Sequence, residues 1–372
     1  MSEKSRVQSV YIHIPFCKSK CKYCSFVSGV DLTKKTGYLY SLLKEIDYYY
    51  NHEPLKTFYI GGGTPSLLEY DELKKIISKF EFRENCEKTI EVNPNDITPN
   101  YAKGLKELGF NRISMGAQSF DNEILKIIGR RHTKEEVYTA VQILREVGFD
   151  NISLDLIYGL PTQTIEGFRH DIEEVMSLDV EHLSLYGLKI DEGCFFYNNR
   201  PQNLPDDDIQ ADMYLLAGET VRKNGFNHYE ISNYSKSGYK SRHNTNYWKC
   251  GEYYGFGLSA HGYVERIRYS NTSDLTEYLN SPTSREYGKF LTEKEKLEED
   301  IFLGFRLSEG INTIEINKKF NIDFDKKYKT ILEKYLDSGH IEKTENGYRL
   351  SDNQNSNGFL LSNIILSEFI SD

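Results

Sequence analysis

Three cysteines, Cys17, Cys21 and Cys24, fall within eight residues in the spacing C-x3-C-x2-C, just after the alternating stretch VYIHIPF. Thiolates are ligands for zinc and for iron–sulfur clusters, and three on one loop can hold three corners of a cluster. The fourth corner then has no ligand from the same segment, and an iron with an open position can bind and activate a small molecule. Structural zinc is the plainer alternative. It needs a fourth ligand, usually from a second paired knuckle, and Cys86, Cys194 and Cys250 stand singly. An iron–sulfur cluster held by three thiolates fits better.

The elements that must position this loop come next. Short β-like runs at 10–14, 57–60, 89–92, 112–115, 151–155 and 182–186 alternate with helical patterns near 33–50, 69–80, 98–108, 120–147 and 164–178. Six β/α units in succession predict parallel strands joined by right-handed crossovers. A doubly wound sheet fits the count, and so does a partial (β/α) barrel. In both, functional loops follow the C-terminal ends of strands. The cysteine loop, Gly61-Gly62-Gly63-Thr64-Pro65, and the residues after Val92, Met115 and Asp155 all fall there. One shared site on one rim is expected.

Beyond residue 200, the stretch 205–224 predicts a helix with an acidic first turn and Gly225 at its end. Residues 226–263 read as irregular, rich in aromatics and glycine, and 274–290 as a connection. From 291 compact helices precede a hairpin turning at Glu345-Asn346-Gly347. This predicts a smaller α+β, winged-helix-like domain over 291–372, after a 1–200 core and a 201–290 linking region. Residues 290–350 hold 11 Lys and Arg against 13 Asp and Glu, so a nucleic-acid footprint is missing. A packing or lid role is expected for this domain.

Bulk properties narrow the class further. The chain has 372 residues, 38% hydrophobic and 27% charged, with a formal charge of −10. That balance suits a globular fold with a large core and argues against charge-driven binding to nucleic acid or anionic membrane. The stretch MSEKSRVQSV has no signal-peptide core, and no apolar run approaches the ~18 residues of a membrane span. A cytoplasmic, reducing location is expected, because clustered cysteines fit metal binding better than a disulfide framework.

The cluster, with Tyr23 before its last cysteine, resembles the radical S-adenosylmethionine (SAM) superfamily. That resemblance implies a 4Fe–4S cluster on Cys17, Cys21 and Cys24, SAM chelated by its unique iron, and a partial (β/α)6 TIM-type barrel. It also implies a SAM site that includes Tyr11, Tyr23, Gly62, Gly63, Thr64, Glu91, Gln118, Arg130 and Asp155. In the residues themselves, a glycine run lets backbone approach a ligand, and Glu91 offers acceptors to a ribose or amino group.

YIHIPFC, GGGTPS, EVNP, MGAQSF and DLIYGLP together resemble the coproporphyrinogen III dehydrogenase group across nearly the whole chain. One branch of that group decarboxylates two propionates of coproporphyrinogen III through a 5′-deoxyadenosyl radical. The other is understood as a heme-binding chaperone. The dehydrogenase branch carries a further cysteine two residues after the third ligand, where this chain has Phe26. That branch also has a longer N-terminal segment, whereas ten residues precede Tyr11 here. His243-Asn244-Thr245-Asn246-Tyr247-Trp248, with the chain's single tryptophan, resembles the chaperone branch's signature H-N-x-x-Y-W. An imidazole can ligate heme iron while Tyr and Trp faces pack on a porphyrin. His243, Tyr247 and Trp248 are therefore the heme candidates, with Cys250 and His261 as nearby alternatives.

The resemblance implies a heme chaperone rather than a turnover enzyme, with the dehydrogenase as the alternative. Its expected partners are heme, a heme-acceptor protein such as a membrane-bound respiratory protein, and an electron donor. A homodimer is an open expectation.

Overall fold

Polar and apolar residues alternate along each strand of a central sheet, and that alternation explains why the barrel has a polar interior. In a computed structural model describing residues 7–353 and 355–370, the first half of the chain builds six strands of this sheet. They are β1 (Ser9–Ile14), β2 (Leu55–Gly62), β3 (Phe82–Val92), β4 (Arg112–Gln118), β5 (Ile152–Tyr158) and β6 (His182–Gly187). Neighbours pair in parallel, in sequence order. MSEKSR, the start of the stretch expected to lack a targeting core, lies outside the described residues, as does Gln354 of the polar run SDNQNSN.

Val10, Ile12, Phe58, Ile60, Ile90, Ile113, Leu154 and Leu183 belong to one buried apolar cluster that also takes in residues of the crossover helices. The alternate residues meet one another instead: Thr57 with Ser9, Tyr59 with Glu91, Ser114 with Asp155, and Ser153 with His182. Period-two alternation in a curved parallel sheet gives this division between lumen and helix layer. It also makes the lumen a place where charged groups sit next to one another.

The predicted helices are present at Lys35–Tyr49, Tyr70–Ile77, Pro99–Glu107 and Ile165–Ser177. Thr98 and Thr164 cap the last two by accepting backbone N–H groups. The stretch 120–147, expected as one helix, is two: Asn122–Ile127 and Lys134–Glu146. Gly129, at φ +79°, ends the first in a left-handed conformation that favours glycine. Thr133 and Glu136 form the capping box of the second. The break delivers Arg130.

The stretch 226–263, read from sequence as irregular, extends the same sheet. It supplies β7 (Asn227–Glu230), β8 (Asn233–Ser235) and β9 (Tyr254–Phe256), too short to carry a readable period. The order is β7-β8-β6-β5-β4-β3-β2-β1-β9, with β9 parallel to β1 and β8 antiparallel to β6. The expected helix at 205–224 is Asp207–Lys223, capped by Asp206. The connection 274–290 contains a helix, Leu275–Asn280, and an edge strand, Tyr287–Phe290.

A second core is built mostly from residues beyond 291, joined by Tyr214 of the helix Asp207–Lys223. The helices Glu293–Gly304, Thr313–Phe320 and Lys329–Asp337 pack with the hairpin Ile341–Lys343 and Gly347–Leu350. Ile301, Phe305, Phe324, Ile365 and Phe369 are buried at its centre. Helices followed by a small hairpin match the predicted winged-helix-like domain. Among the described residues, no helix is long and apolar enough to cross a membrane.

Candidate functional site

A cavity of about 560 Å³ opens at the C-terminal ends of the strands, within the range of small-molecule sites. Its lining contains Cys17, Cys21, Tyr23, Cys24, Gly62, Gly63, Thr64, Glu91, Gln118, Arg130 and Asp155. Of the cluster and SAM candidates in the sequence, Tyr11 alone does not line it. The Tyr11 hydroxyl instead meets His13 Nδ1 at 3.1 Å, and His13 Nε2 meets the carbonyl of Val27 at 2.9 Å. A carbonyl only accepts, so Nε2 carries the proton and Nδ1 takes the one from Tyr11. His13 thereby ties the end of the cysteine loop to β1. A Cβ at Gly62 would stand 2.7 Å from its ring.

The cysteine loop is pinned by backbone hydrogen bonds on several sides. Cys17 N–H donates to Gly29, Lys22 N–H to Ile128, and Phe196 N–H to the carbonyl of Lys22. Thr64 Oγ1 lies 3.4 Å from Cys17 Sγ, and Arg130 Nη1 lies 3.6 Å from Cys21 Sγ. Burial raises the Cys24 thiol, and the neighbouring Cys21 and Cys17 raise it further. Thiolates this close repel one another, and cationic iron relieves the repulsion. Among the described residues, no group of His, Cys, Asp or Glu is gathered to hold a single ion. Three neighbouring thiols on one loop fit a cluster with one open iron.

Beside the thiols stands an acceptor-rich wall. Glu91 takes the Tyr59 hydroxyl at 2.8 Å and the N–H of Gly62 at 3.0 Å. Burial lifts its carboxyl to about 7, and nearby Asp155 adds to the shift. Asp155 is likewise lifted by burial, to about 6. Its Oδ1 is buried without a hydrogen-bond partner. An orphaned carboxylate oxygen in a cavity wall is costly unless a ligand supplies the donor. The ammonium and ribose hydroxyls of SAM are donors of that kind, so these residues fit it.

Opposite, Arg130 joins four parts of the site. Nη2 donates to Asn93 Oδ1 at 2.7 Å and to the carbonyl of Gly116 at 2.6 Å, while Nε faces His132 Nδ1 at 3.3 Å. Gln118 sits at a β-bulge with φ +69°. A Cβ at Gly116 would press on its amide at 2.6 Å and on Arg130 at 3.3 Å. Asn93, His13, His132 and Ser114 were not singled out from sequence. The polar alternation in YIHIP, IEVNP and RISMG was the signal that could have found His13, Asn93 and Ser114, whereas His132 follows the helix break in GRRHT and carries no such signal. Arg112, fully buried in the lumen, was also not singled out from sequence.

The HNTNYW residues lie elsewhere. They form the helix Arg242–Trp248 against the N-terminal part of β2, the far end of the barrel from Gly62. His243 is 1% exposed. Its Nδ1 is 2.9 Å from Thr57 Oγ1 and its Nε2 is 2.6 Å from the Tyr247 hydroxyl. Both His243 nitrogens are thus engaged within the protein. Tyr247 packs on Tyr253, and Trp248 faces Arg306 of the C-terminal domain. None of the three lines the cavity.

The description Radical SAM superfamily matches residues 11–175, and HemN C-terminal domain matches residues 291–353. The solved coproporphyrinogen III oxidase (HemN) from Escherichia coli, described as a radical SAM enzyme, superposes with a TM-score of 0.87 at 22% identity. It covers 99% of this chain and 91% of its own. Fold and site together define a radical SAM protein of the HemN architecture. The heme chaperone HemW of Lactococcus lactis is 38% identical over 93% of this chain and 95% of that relative. HemW of Bacillus subtilis is 34% identical over 98% and 100%. The chain belongs to the HemW family.

Proposed function

We propose that the protein is a heme chaperone that binds heme and passes it to an acceptor protein. The observation that carries this reading is end-to-end similarity to proteins named heme chaperone HemW, with Phe26 where the dehydrogenase branch has a cysteine. Cys17, Cys21 and Cys24 would hold a 4Fe–4S cluster. When bound, its open iron supplies a coordination position for the amino and carboxylate groups of SAM. Glu91 and Asp155 would accept the hydrogen bonds of SAM, Gly62 and Gly63 would present backbone beside it, and Arg130 and Gln118 would close the opposite wall. An electron donor, a respiratory acceptor, a homodimer and a cytoplasmic location complete the proposal.

Heme belongs at the cavity mouth rather than at His243. Phe26 is 66% exposed and Tyr186 42% exposed there, and Leu188, Lys20 and Arg131 share the lining. Aromatic and apolar faces suit a porphyrin plane, and the cations suit its propionates.

Two assays test the function together. Heme titration followed by incubation with an apo-acceptor should show binding and then transfer. Reduced, reconstituted protein given SAM and coproporphyrinogen III should make no protoporphyrinogen IX. Steady formation of that product overturns the chaperone reading in favour of the dehydrogenase.

A further inference from the structure

We propose that the helix Arg242–Trp248 is a plug that closes the barrel and, through Tyr59, holds Glu91 in position for SAM, making His243 a positioning residue. The inference rests on reading the rim as the SAM site.

The plug is fastened to β3. Both oxygens of Glu87 take backbone N–H groups of the helix, from Arg242 and His243, each at 2.9 Å. Glu91 lies four residues along the same strand and on the same face. Between them the His243 ring stacks on Tyr59, with centroids 5.1 Å apart and planes 27° apart. Thr57 Oγ1 donates to Ser9 Oγ, so its lone pair faces His243 Nδ1, which carries the proton. Nε2 is then left to accept from Tyr247. The imidazole is neutral and fixed in one tautomer, clamped at both nitrogens.

The far edge of the Tyr59 ring bears the hydroxyl that Glu91 accepts. A Cβ at Gly61 would stand 2.9 Å from both the Glu91 carboxyl and Tyr59 Cε1. Tyr59 is thus held between Gly61 and His243, with its hydroxyl aimed at one carboxylate oxygen. Removing the imidazole frees the ring to tilt and lets water reach the lumen. Glu91 then loses a directed donor and its orientation toward the cavity.

The test uses anaerobically reconstituted protein with iron and sulfide measured in each sample. SAM affinity and heme affinity are determined for wild type, His243→Ala, His243→Phe and Tyr59→Phe. His243→Ala and Tyr59→Phe should each weaken SAM binding by about tenfold, the scale of one hydrogen bond to a charged group. Heme affinity and the Soret band should stay as in wild type. His243→Phe, which keeps a ring over Tyr59, should retain most of the SAM affinity. Lost heme binding with SAM affinity intact in His243→Ala overturns the inference. Tyr59→Phe removes one hydroxyl and decides the matter should His243→Ala fail to fold: unchanged SAM affinity there overturns it too. Glu91→Gln separates the two readings. If Glu91→Gln binds SAM normally, the rim reading itself is wrong. If it does not, and Tyr59→Phe does, the plug alone is wrong.

Discussion

Tyr59 donates to Glu91 across 2.8 Å, and the carboxylate's second oxygen takes the N–H of Gly62. The contact joins β2 and β3 at the level where the cavity floor begins. Burial raises the Tyr59 phenol well above its ordinary value, with Glu91 adding to the shift, so Tyr59 stays a donor. Arg112, buried in the same lumen, pulls Glu91 and Asp155 back toward ionisation. The acceptor wall is therefore two carboxylates whose burial is opposed by hydrogen bonds and by nearby arginines.

That balance makes SAM binding depend on pH. Burial places Glu91 near 7 and Asp155 near 6, so both are ionised at pH 8 and largely protonated at pH 5.5. SAM affinity should fall as pH drops across this window, measured calorimetrically on reconstituted protein. The stability effect has the opposite sense. A folded carboxyl raised above its unfolded value favours folding at low pH, and that benefit is lost as pH rises through about 7. Glu91→Gln should raise the melting temperature of the ligand-free protein more at pH 8 than at pH 5, while abolishing SAM binding. A flat affinity profile from pH 8 to 5.5 would sink the carboxylate-wall assignment.

Gly63 makes a sharper demand on the cysteine loop. A Cβ there would stand 2.8 Å from the carbonyl oxygen of Phe16 and 3.0 Å from Cys17 Sγ. Neither can yield without moving Cys17, the first of the proposed cluster ligands. Gly63→Ala should fold with its secondary structure intact yet take up less iron and sulfide than wild type on reconstitution. Full occupancy of about four irons per chain would show that the loop adapts.

The strand–helix alternation and the cysteine triplet were legible because each rests on a local pattern, while the set of rim residues came from the family resemblance. Glu91 and Asp155 could be read from strands of ordinary length ending at one rim. The split of 120–147 could have been read too, since Gly129 and the Thr133–Glu136 pair are stop and start signals. What sequence could not carry was depth. HNTNYW looked like a ligand surface, whereas β7, β8 and β9, of three or four residues each, fold the segment around it back onto the sheet. His243 then meets Thr57, which is 186 residues earlier. No periodicity reports a contact of that range. Arg112 was hidden similarly, because a charged residue opening a short strand reads as solvent-facing until the barrel curves around it.

Phe26 tests the division between the two branches. It stands exposed at the cavity mouth, at the position where the dehydrogenase branch carries a cysteine. Phe26→Cys should weaken heme binding, because it removes an apolar face from the proposed docking surface. It should not confer oxidation of coproporphyrinogen III, since one thiol does not supply a substrate pocket. Steady formation of protoporphyrinogen IX by Phe26→Cys, detected by fluorescence after oxidation to the porphyrin, would show that this one position decides the activity.

Arg130 and His132 form the last testable pair, and their order of effect is fixed by geometry. Burial, with the adjacent Arg130 charge, lowers the His132 imidazole to about 3, so it is neutral at any working pH. Its Nε2–H donates to the carbonyl of Ala117 at 3.0 Å, leaving Nδ1 to accept from Arg130 Nε. His132 therefore aims the guanidinium, while the guanidinium itself reaches Asn93, Gly116 and Cys21 at once. A lysine ammonium has no planar fork with which to span those three. Arg130→Lys should weaken SAM binding by more than tenfold, on the scale of losing more than one charge-assisted bond, and should speed loss of the cluster on exposure to air. His132→Ala should do less of the same, because Arg130 keeps its other contacts. If His132→Ala proves the more damaging of the two by SAM titration and by decay of the cluster absorbance, the imidazole touches the ligand itself.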